Sequence, residues 1–199
     1  MITIAVQAGG KSSRMGEDKA LIRLAGIPLI ERVLARIDGL ADEILITTNH
    51  PETLAHLNVR MAGDEVPGAG ALHGLKTALD AARGELVLVL SCDTPFVNRE
   101  LLEHLLSRAH EADAIVPKHD DKYEPLQAVY NRARCLPAVE AALLASERRM
   151  VSFYPQVHVL PIEEHVLSEL DPSGLSFFNV NTAEDLERAE QLLISICDV

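Results

Sequence analysis

Short, uninterrupted apolar runs alternate with segments whose apolar residues recur at helical spacing, and the alternation persists along nearly the whole chain. Ile2 to Gln7 is the first run, and it ends at Ala8-Gly9-Gly10, the pattern of a buried strand feeding a glycine loop. Pro28 can open a helix in which Ile30, Val33, Leu34 and Ile37 share a face before Gly39 stops it. Glu43 to Thr48 reads as a second strand, Val59 to Gly63 as a short one, and Leu72, Leu75, Leu79 and Ala82 as the buried face of the next helix. Leu86 to Leu90 is wholly apolar, and Asn98 can cap a helix with Leu101, Leu102, Leu105 and Leu106 inward. Strands at Ala114 to Pro117 and Leu126 to Tyr130 follow, then a helix from about Leu136 to Ala145, a strand from Val157 to Pro161 and a last helix after Thr182. Thr182 and Asp185 form a capping-box-like pair. The pattern implies a three-layer α/β fold with a mostly parallel sheet, whose ligands bind at the carboxyl ends of the strands.

Composition narrows the function classes. With 199 residues, 48% of them hydrophobic, and nothing that reads as a linker or repeat, residues 1–199 are expected to form a single domain. A formal net charge of −12 suits small phosphorylated ligands, met by local cations, backbone N–H groups or a metal, and not a nucleic-acid backbone. The longest apolar run falls far below bilayer length, and the start lacks a signal-peptide pattern, so a cytoplasmic protein with no membrane partner is expected. Cys92, Cys135 and Cys197 are odd in number and widely spaced, which indicates reduced thiols and no zinc ribbon.

Just beyond the first strand, the segment from Gln7 to Lys19 carries three glycines with Lys11, Arg14 and Lys19. Glycines let backbone N–H groups approach a polyphosphate, and the cations offset charge developing on a leaving pyrophosphate. A P-loop reading of Gly10-Lys11-Ser12 fails because position 5, where that motif requires glycine, is Ala5. Asp93, in Ser91-Cys92-Asp93-Thr94-Pro95, follows the most apolar strand and should stand at its carboxyl end, where a carboxylate can hold Mg²⁺. Asn179 and Asn181 alternate along an expected strand and could complete a metal shell, although the segment alone equally allows one to cap the following helix. Asn49 and Asp64 each sit just past a strand, within reach of a nucleoside or simply as turn residues, and Gly68 to Gly74 starts a helix with glycines that can lie close to a base or sugar or serve the helix start alone. The histidines show no metal-ligand spacing, and Cys92, lacking an evident base, reads as a packing residue.

Taken in order, Ala8 to Gly16 with Asp18-Lys19, Cys92 to Phe96, Glu124 to Tyr130 and Phe178 to Leu186 make the chain resemble the molybdenum cofactor guanylyltransferases, within the Rossmann-like nucleotidyltransferases. The resemblance runs nearly end to end. It implies a Rossmann-like nucleotidyltransferase fold and GTP bound across Gln7, Ala8, Gly9, Gly10, Lys19, Asn49, Asp64 and Asp93. It also implies Mg²⁺ on Asp93, with Asn179 and Asn181 as candidate ligands, and a molybdopterin acceptor deeper in the cleft. Lys19, Asp93 and Arg14 are the expected catalytic residues. Proteins of molybdenum insertion and molybdoenzyme maturation are the macromolecular partners it suggests. The chain departs from the family's usual pattern at Gln7, where leucine is common, and at Gly70-Ala71-Leu72-His73-Gly74, where Gly-Pro-Leu-Ala-Gly is common. Both departures fall near the expected base.

The expected reaction is in-line attack by the molybdopterin phosphate on the α-phosphorus of GTP, with pyrophosphate leaving toward the glycine loop; an ionised phosphate needs no general base. Its rivals are a molybdopterin cytidylyltransferase, a sugar-phosphate nucleotidyltransferase and, from another class, a non-catalytic nucleotide-binding regulator.

Overall fold

A computed structural model of the chain describes residues 1–8, 18–64, 66 and 68–197, the last two by backbone alone. β1 (Ile2–Gln7) is followed by a 3₁₀-helical turn at Lys19–Leu21 and a small hairpin of β2 (Arg23–Leu24) and β3 (Ile27–Pro28). Next come α1 (Leu29–Ile37), β4 (Glu43–Thr47), the single turn α2 (Pro51–Leu54), β5 (Arg60–Ala62), α3 (Ala71–Ala81), β6 (Leu86–Ser91) and α4 (Arg99–Ser107). The chain continues through β7 (Ala114–His119), β8 (Lys122–Tyr123), β9 (Gln127–Asn131), α5 (Arg132–Leu144), β10 (Val159–Ile162), α6 (Glu164–Leu170) and α7 (Ala183–Cys197).

The main sheet has the order β10-β7-β9-β6-β1-β4-β5, with β8 paired to β7. β9 runs antiparallel to both neighbours, and the other pairs along that order are parallel. The reversal has a local cause. Asp120 and Asp121, at φ 48° and 60°, form the left-handed turn between β7 and β8 that sends the chain back on itself. Gln127, the first residue of β9, thereby comes to lie opposite Leu90, beside the carboxyl end of β6.

Alternation along the central strands divides the core between two faces. Ile4, Val6, Leu88 and Leu90 pack with α1, α4 and α6 on one side, whereas Ala5, Val87 and Val89 pack with α3 and α5 on the other. Side chains such as Ile4, Leu88 and Leu90, fully buried, each stabilise the fold by roughly 1.5–3 kcal/mol. A third apolar cluster joins Ile22, Leu24, Leu29 and Phe96 to Val180 and Ala189, docking the C-terminal segment beside the β2–β3 hairpin. No helix among the described residues is long and apolar enough to cross a membrane.

Three expectations change. α5 starts at Arg132 and not near Leu136: Asn131 accepts the Arg134 N–H at 3.2 Å as its cap, and Pro137 lies inside the helix. β10 occupies Val159–Ile162 because Val157 still closes the preceding turn by donating to the Tyr154 carbonyl. The segment with Asn179 and Asn181 is not a strand; it follows a 3₁₀ turn at Leu175–Phe177, and the Asn181 and Thr182 N–H groups bond the Asp185 carboxylate instead of a neighbouring strand. The expected pairing of Thr182 with Asp185 is present, the Asp185 N–H donating to Thr182 Oγ1 at 3.1 Å. β2, β3, β8, α2 and α6 have no counterpart in the periodicity analysis, being too short or too weakly patterned to register.

Candidate active site

Backbone hydrogen bonds continue the ladders one step past the strands and align their ends. Ala8 N–H donates to the Thr47 carbonyl at 2.8 Å, Cys92 N–H to Gln7 at 3.1 Å, and Thr48 N–H to Ala62 at 2.9 Å. The side chains just beyond β1, β4, β5 and β6 therefore converge at one edge of the sheet.

Asp93 is 6% exposed and held from several directions. Ser91 Oγ donates to its Oδ1 at 2.5 Å, Lys19 Nζ to its Oδ2 at 2.9 Å, and its carbonyl accepts the Val180 N–H at 2.9 Å. Lys19 also donates to Asn181 Oδ1 at 2.5 Å, so one ammonium ties a carboxylate to an amide oxygen from the far end of the chain. The position of Lys19 is set by Asp18, whose carboxylate accepts the Ala20 N–H and caps the short turn. Burial, reinforced by the charges of Asp93 and Asp18, pushes the Cys92 thiol far above its ordinary value, which removes it as a nucleophile.

Asn49 and Asp64 make a second assembly. Asp64 N–H donates to Asn49 Oδ1 at 2.9 Å, Asn49 Nδ2 donates to Asp64 Oδ2 at 3.3 Å, and Thr77 Oγ1 donates to Asp64 Oδ1 at 2.7 Å. A carboxylate has about four acceptor sites, so Asp64 keeps capacity for two more donors. Gln7, Lys19, Thr47, Asp64, Gly74 and Asp93 line a shared cavity of about 230 Å³. A neighbouring cavity of about 290 Å³, lined by Thr48, Asn49, Met61 and Gly63, meets it at Asp64. A site with cation and carboxylate at one end and a spare acceptor at the other suits a nucleoside polyphosphate.

Residues 4–159 match the family model described as MobA-like NTP transferase domain. The chain belongs to this family. It is 35% identical to a probable molybdenum cofactor guanylyltransferase of Pelotomaculum thermopropionicum, the match covering 94% of this chain and 91% of that protein. Among solved structures, molybdopterin-guanine dinucleotide biosynthesis protein A from Archaeoglobus fulgidus superposes with a TM-score of 0.84 at 30% identity, covering 97% of this chain and 99% of the other. A 2-C-methyl-D-erythritol 4-phosphate cytidylyltransferase from Thermus thermophilus, at 21% identity and a TM-score of 0.72 over 96% and 98% of the two chains, shares the fold. As a MobA-like NTP transferase, the chain is a nucleotidyltransferase with the Rossmann-like fold of that group.

Of the residues expected at the MobA-like site, Gln7, Lys19, Asp64 and Asp93 share the first cavity, and Asn49 reaches it through Asp64. Ala8 is buried, its N–H committed to Thr47. Gly9, Gly10, Lys11 and Arg14 lie outside the described residues. The two asparagines separate: Asn181 meets Lys19, while Asn179 donates its Nδ2 to the Phe177 carbonyl at 2.9 Å. Sequence reasoning missed Ser91 and Thr77, which orient Asp93 and Asp64. A signal for each existed. Ser91 lies two residues before Asp93 at the strand end, and Gly70, Gly74 and Thr77 follow helical spacing along the face of α3 turned to the cavity.

Proposed function

We propose that this nucleotidyltransferase transfers the GMP moiety of GTP to the terminal phosphate of molybdopterin, giving molybdopterin guanine dinucleotide and pyrophosphate. The observation that carries the reading is the shared cavity, with the Lys19–Asp93 pair and the Asp64 carboxylate on its wall. Guanine offers two donors, N1–H and the 2-amino group, to a carboxylate with two acceptor sites left; cytosine offers acceptors at the matching atoms and would leave Asp64 facing oxygen and nitrogen lone pairs. The names of the relatives support the same base and acceptor.

In this reading the acceptor phosphate oxygen forms a bond to the α-phosphorus while the bond from that phosphorus to the β-bridging oxygen breaks. Lys19 leaves Asp93 and Asn181 to neutralise the departing pyrophosphate, assisted by Arg14 and by the backbone of Gly9 and Gly10. The metal reading fits the donor set, because the Asp93 and Asn181 oxygens already converge on a cation, and such hard oxygen donors suit Mg²⁺. Asp93 would hold the ion with Asn181 beside it, and the ion would supply charge neutralisation at the phosphoryl oxygens. Residues 1–199 would act as one unit in the cytoplasm, passing product to proteins of molybdenum insertion and molybdoenzyme maturation.

The test is pyrophosphate release from GTP, CTP and ATP at equal concentration, with molybdopterin and Mg²⁺ present. GTP should be consumed at least ~10-fold faster, the discrimination that one unpaired buried polar group supplies. Equal or faster use of CTP would overturn the guanylyl assignment.

A further inference from the structure

Gln7 ends β1, and its side chain leaves the sheet on the face covered by α3. The approach is close. A Cβ placed on Gly74 of α3 would stand 2.7 Å from Gln7 Oε1 and 3.4 Å from Nε2, so only glycine leaves room for the carboxamide there. The oxygen lies nearest the helix, with the nitrogen farther from it. That nitrogen is sealed from solvent and has no hydrogen-bond partner. Among the described residues it is the one unpaired buried side-chain nitrogen on a residue lining the cavity with Lys19, Asp64 and Asp93. An unpaired buried donor is costly, and an amide donor requires an acceptor.

We infer that the Gln7 carboxamide reads the nucleobase, its Nε2 donating to the 6-oxo oxygen of guanine. The inference rests on the guanylyl reading given above and adds to it a specificity-determining side chain. The Watson–Crick edge of guanine carries two donors and one acceptor. Asp64 has free acceptor sites for the donors but can offer nothing to the oxygen. Of the other side-chain donors at that end, Thr77 Oγ1 bonds Asp64 and Asn49 Nδ2 gives one of its two hydrogens to the same carboxylate. The Ala8 N–H is likewise committed, to Thr47. Gln7 lines the same cavity and its Nε2 is an unspent donor, and the 6-oxo group is the edge atom left to satisfy. Gly74 then has a role in base choice without touching the base, because it makes the space in which the carboxamide is held.

Base analogues separate this contact from the one at Asp64. In 6-thio-GTP the 6-oxo oxygen is replaced by a weakly accepting sulfur, whereas ITP lacks only the 2-amino group. Binding of GTP, 6-thio-GTP and ITP with Mg²⁺ is measured calorimetrically for the wild type, Gln7→Leu and Gly74→Ala, with thermal unfolding confirming that each is folded. Leucine keeps the volume of glutamine without its amide, and the alanine methyl displaces the carboxamide while leaving it in the chain. The wild type should prefer GTP to 6-thio-GTP by ~5–10-fold, the range expected for one neutral hydrogen bond. Both variants should lose GTP affinity by that factor, bind GTP and 6-thio-GTP alike, and keep the wild-type preference for GTP over ITP. Unchanged affinity and an unchanged 6-thio-GTP ratio in Gln7→Leu would overturn the inference and leave the guanylyl reading standing. Failure of the wild type to bind GTP at all would overturn both.

Discussion

Lys19 Nζ lies 2.9 Å from Asp93 Oδ2, with the two side chains 20% and 8% exposed, so a carboxylate held at the sheet edge is balanced by a cation from a different loop. Replacing Asp93 with Asn keeps the size and the hydrogen-bonding reach of the side chain but removes its charge. Turnover should fall by a factor on the order of 10² to 10⁴, as when an electrostatic partner of a transition state is lost. Steady-state pyrophosphate release across a Mg²⁺ titration is the check, and near-normal turnover at low Mg²⁺ would remove Asp93 from the metal site.

Lys19→Ala is expected to lower turnover and weaken GTP binding while leaving GMP affinity little changed, because the ammonium is assigned to the β- and γ-phosphates. The same variant should bind Mn²⁺ several-fold more tightly than the wild type in the absence of nucleotide, since a neighbouring positive charge on the same carboxylate is gone. Calorimetry with GTP and GMP, and electron paramagnetic resonance with Mn²⁺, read the two effects separately. Equal losses for GTP and GMP would exclude the phosphate assignment.

At Asp64, substitution by Asn exchanges one carboxylate oxygen for a donor that faces the donors of guanine. GTP affinity should drop ~10–100-fold, as for a mispaired buried polar edge. XTP, whose 2-oxo group accepts where guanine donates, should become the better ligand of this variant. Competitive binding of GTP and XTP tests the exchange; a variant that still prefers GTP would show that Asp64 does not face the base.

Asp113 gives a pH prediction away from the site. The Arg134 guanidinium beside it, then the His158 N–H, hold its carboxyl below the ordinary value of 3.8. A depressed folded-state value means that the charged form is favoured by folding, so this stabilisation is present above pH 3.8 and is lost as the pH falls below it. Asp113→Asn should therefore be less stable than the wild type at neutral pH, and the gap should narrow when urea unfolding is repeated near pH 3. A gap independent of pH would show that the charge is not what ties β7 to α5 and β10.

Much of the scaffold was legible because its signals are local. A fully buried strand must be a continuous apolar run, and β6 is one, which located Asp93 at its end. The caps at Asn98 and Thr182 were legible for the same reason, each depending on side chains within three residues of the N–H groups they bond. What escaped depends on distant partners or competing cues. Asn131 is at once the last residue of β9 and the cap of α5, a double role that hides the helix start. Asn179 and Asn181 look equivalent by alternation, and only folding reveals that one faces Lys19 and the other its own backbone. The direction of β9 follows from two aspartates accepting left-handed geometry in a tight turn, which no apolar periodicity encodes.

The contact between Lys19 and Asn181 spans 162 positions of sequence. On the ribosome, Lys19 and Asp93 emerge long before Asn181 does, so a growing chain can pair its cation with its carboxylate while the third member of that cluster is still unmade. The region matched to the family, residues 4–159, stops short of it as well. A fragment cut at that boundary would carry the cavity-lining residues from Gln7 to Leu126 but not the oxygen that fixes Lys19 from the far side. Completion of the Lys19 cluster thus waits for the C-terminal segment to dock beside the β2–β3 hairpin, which carries Asn181 into place.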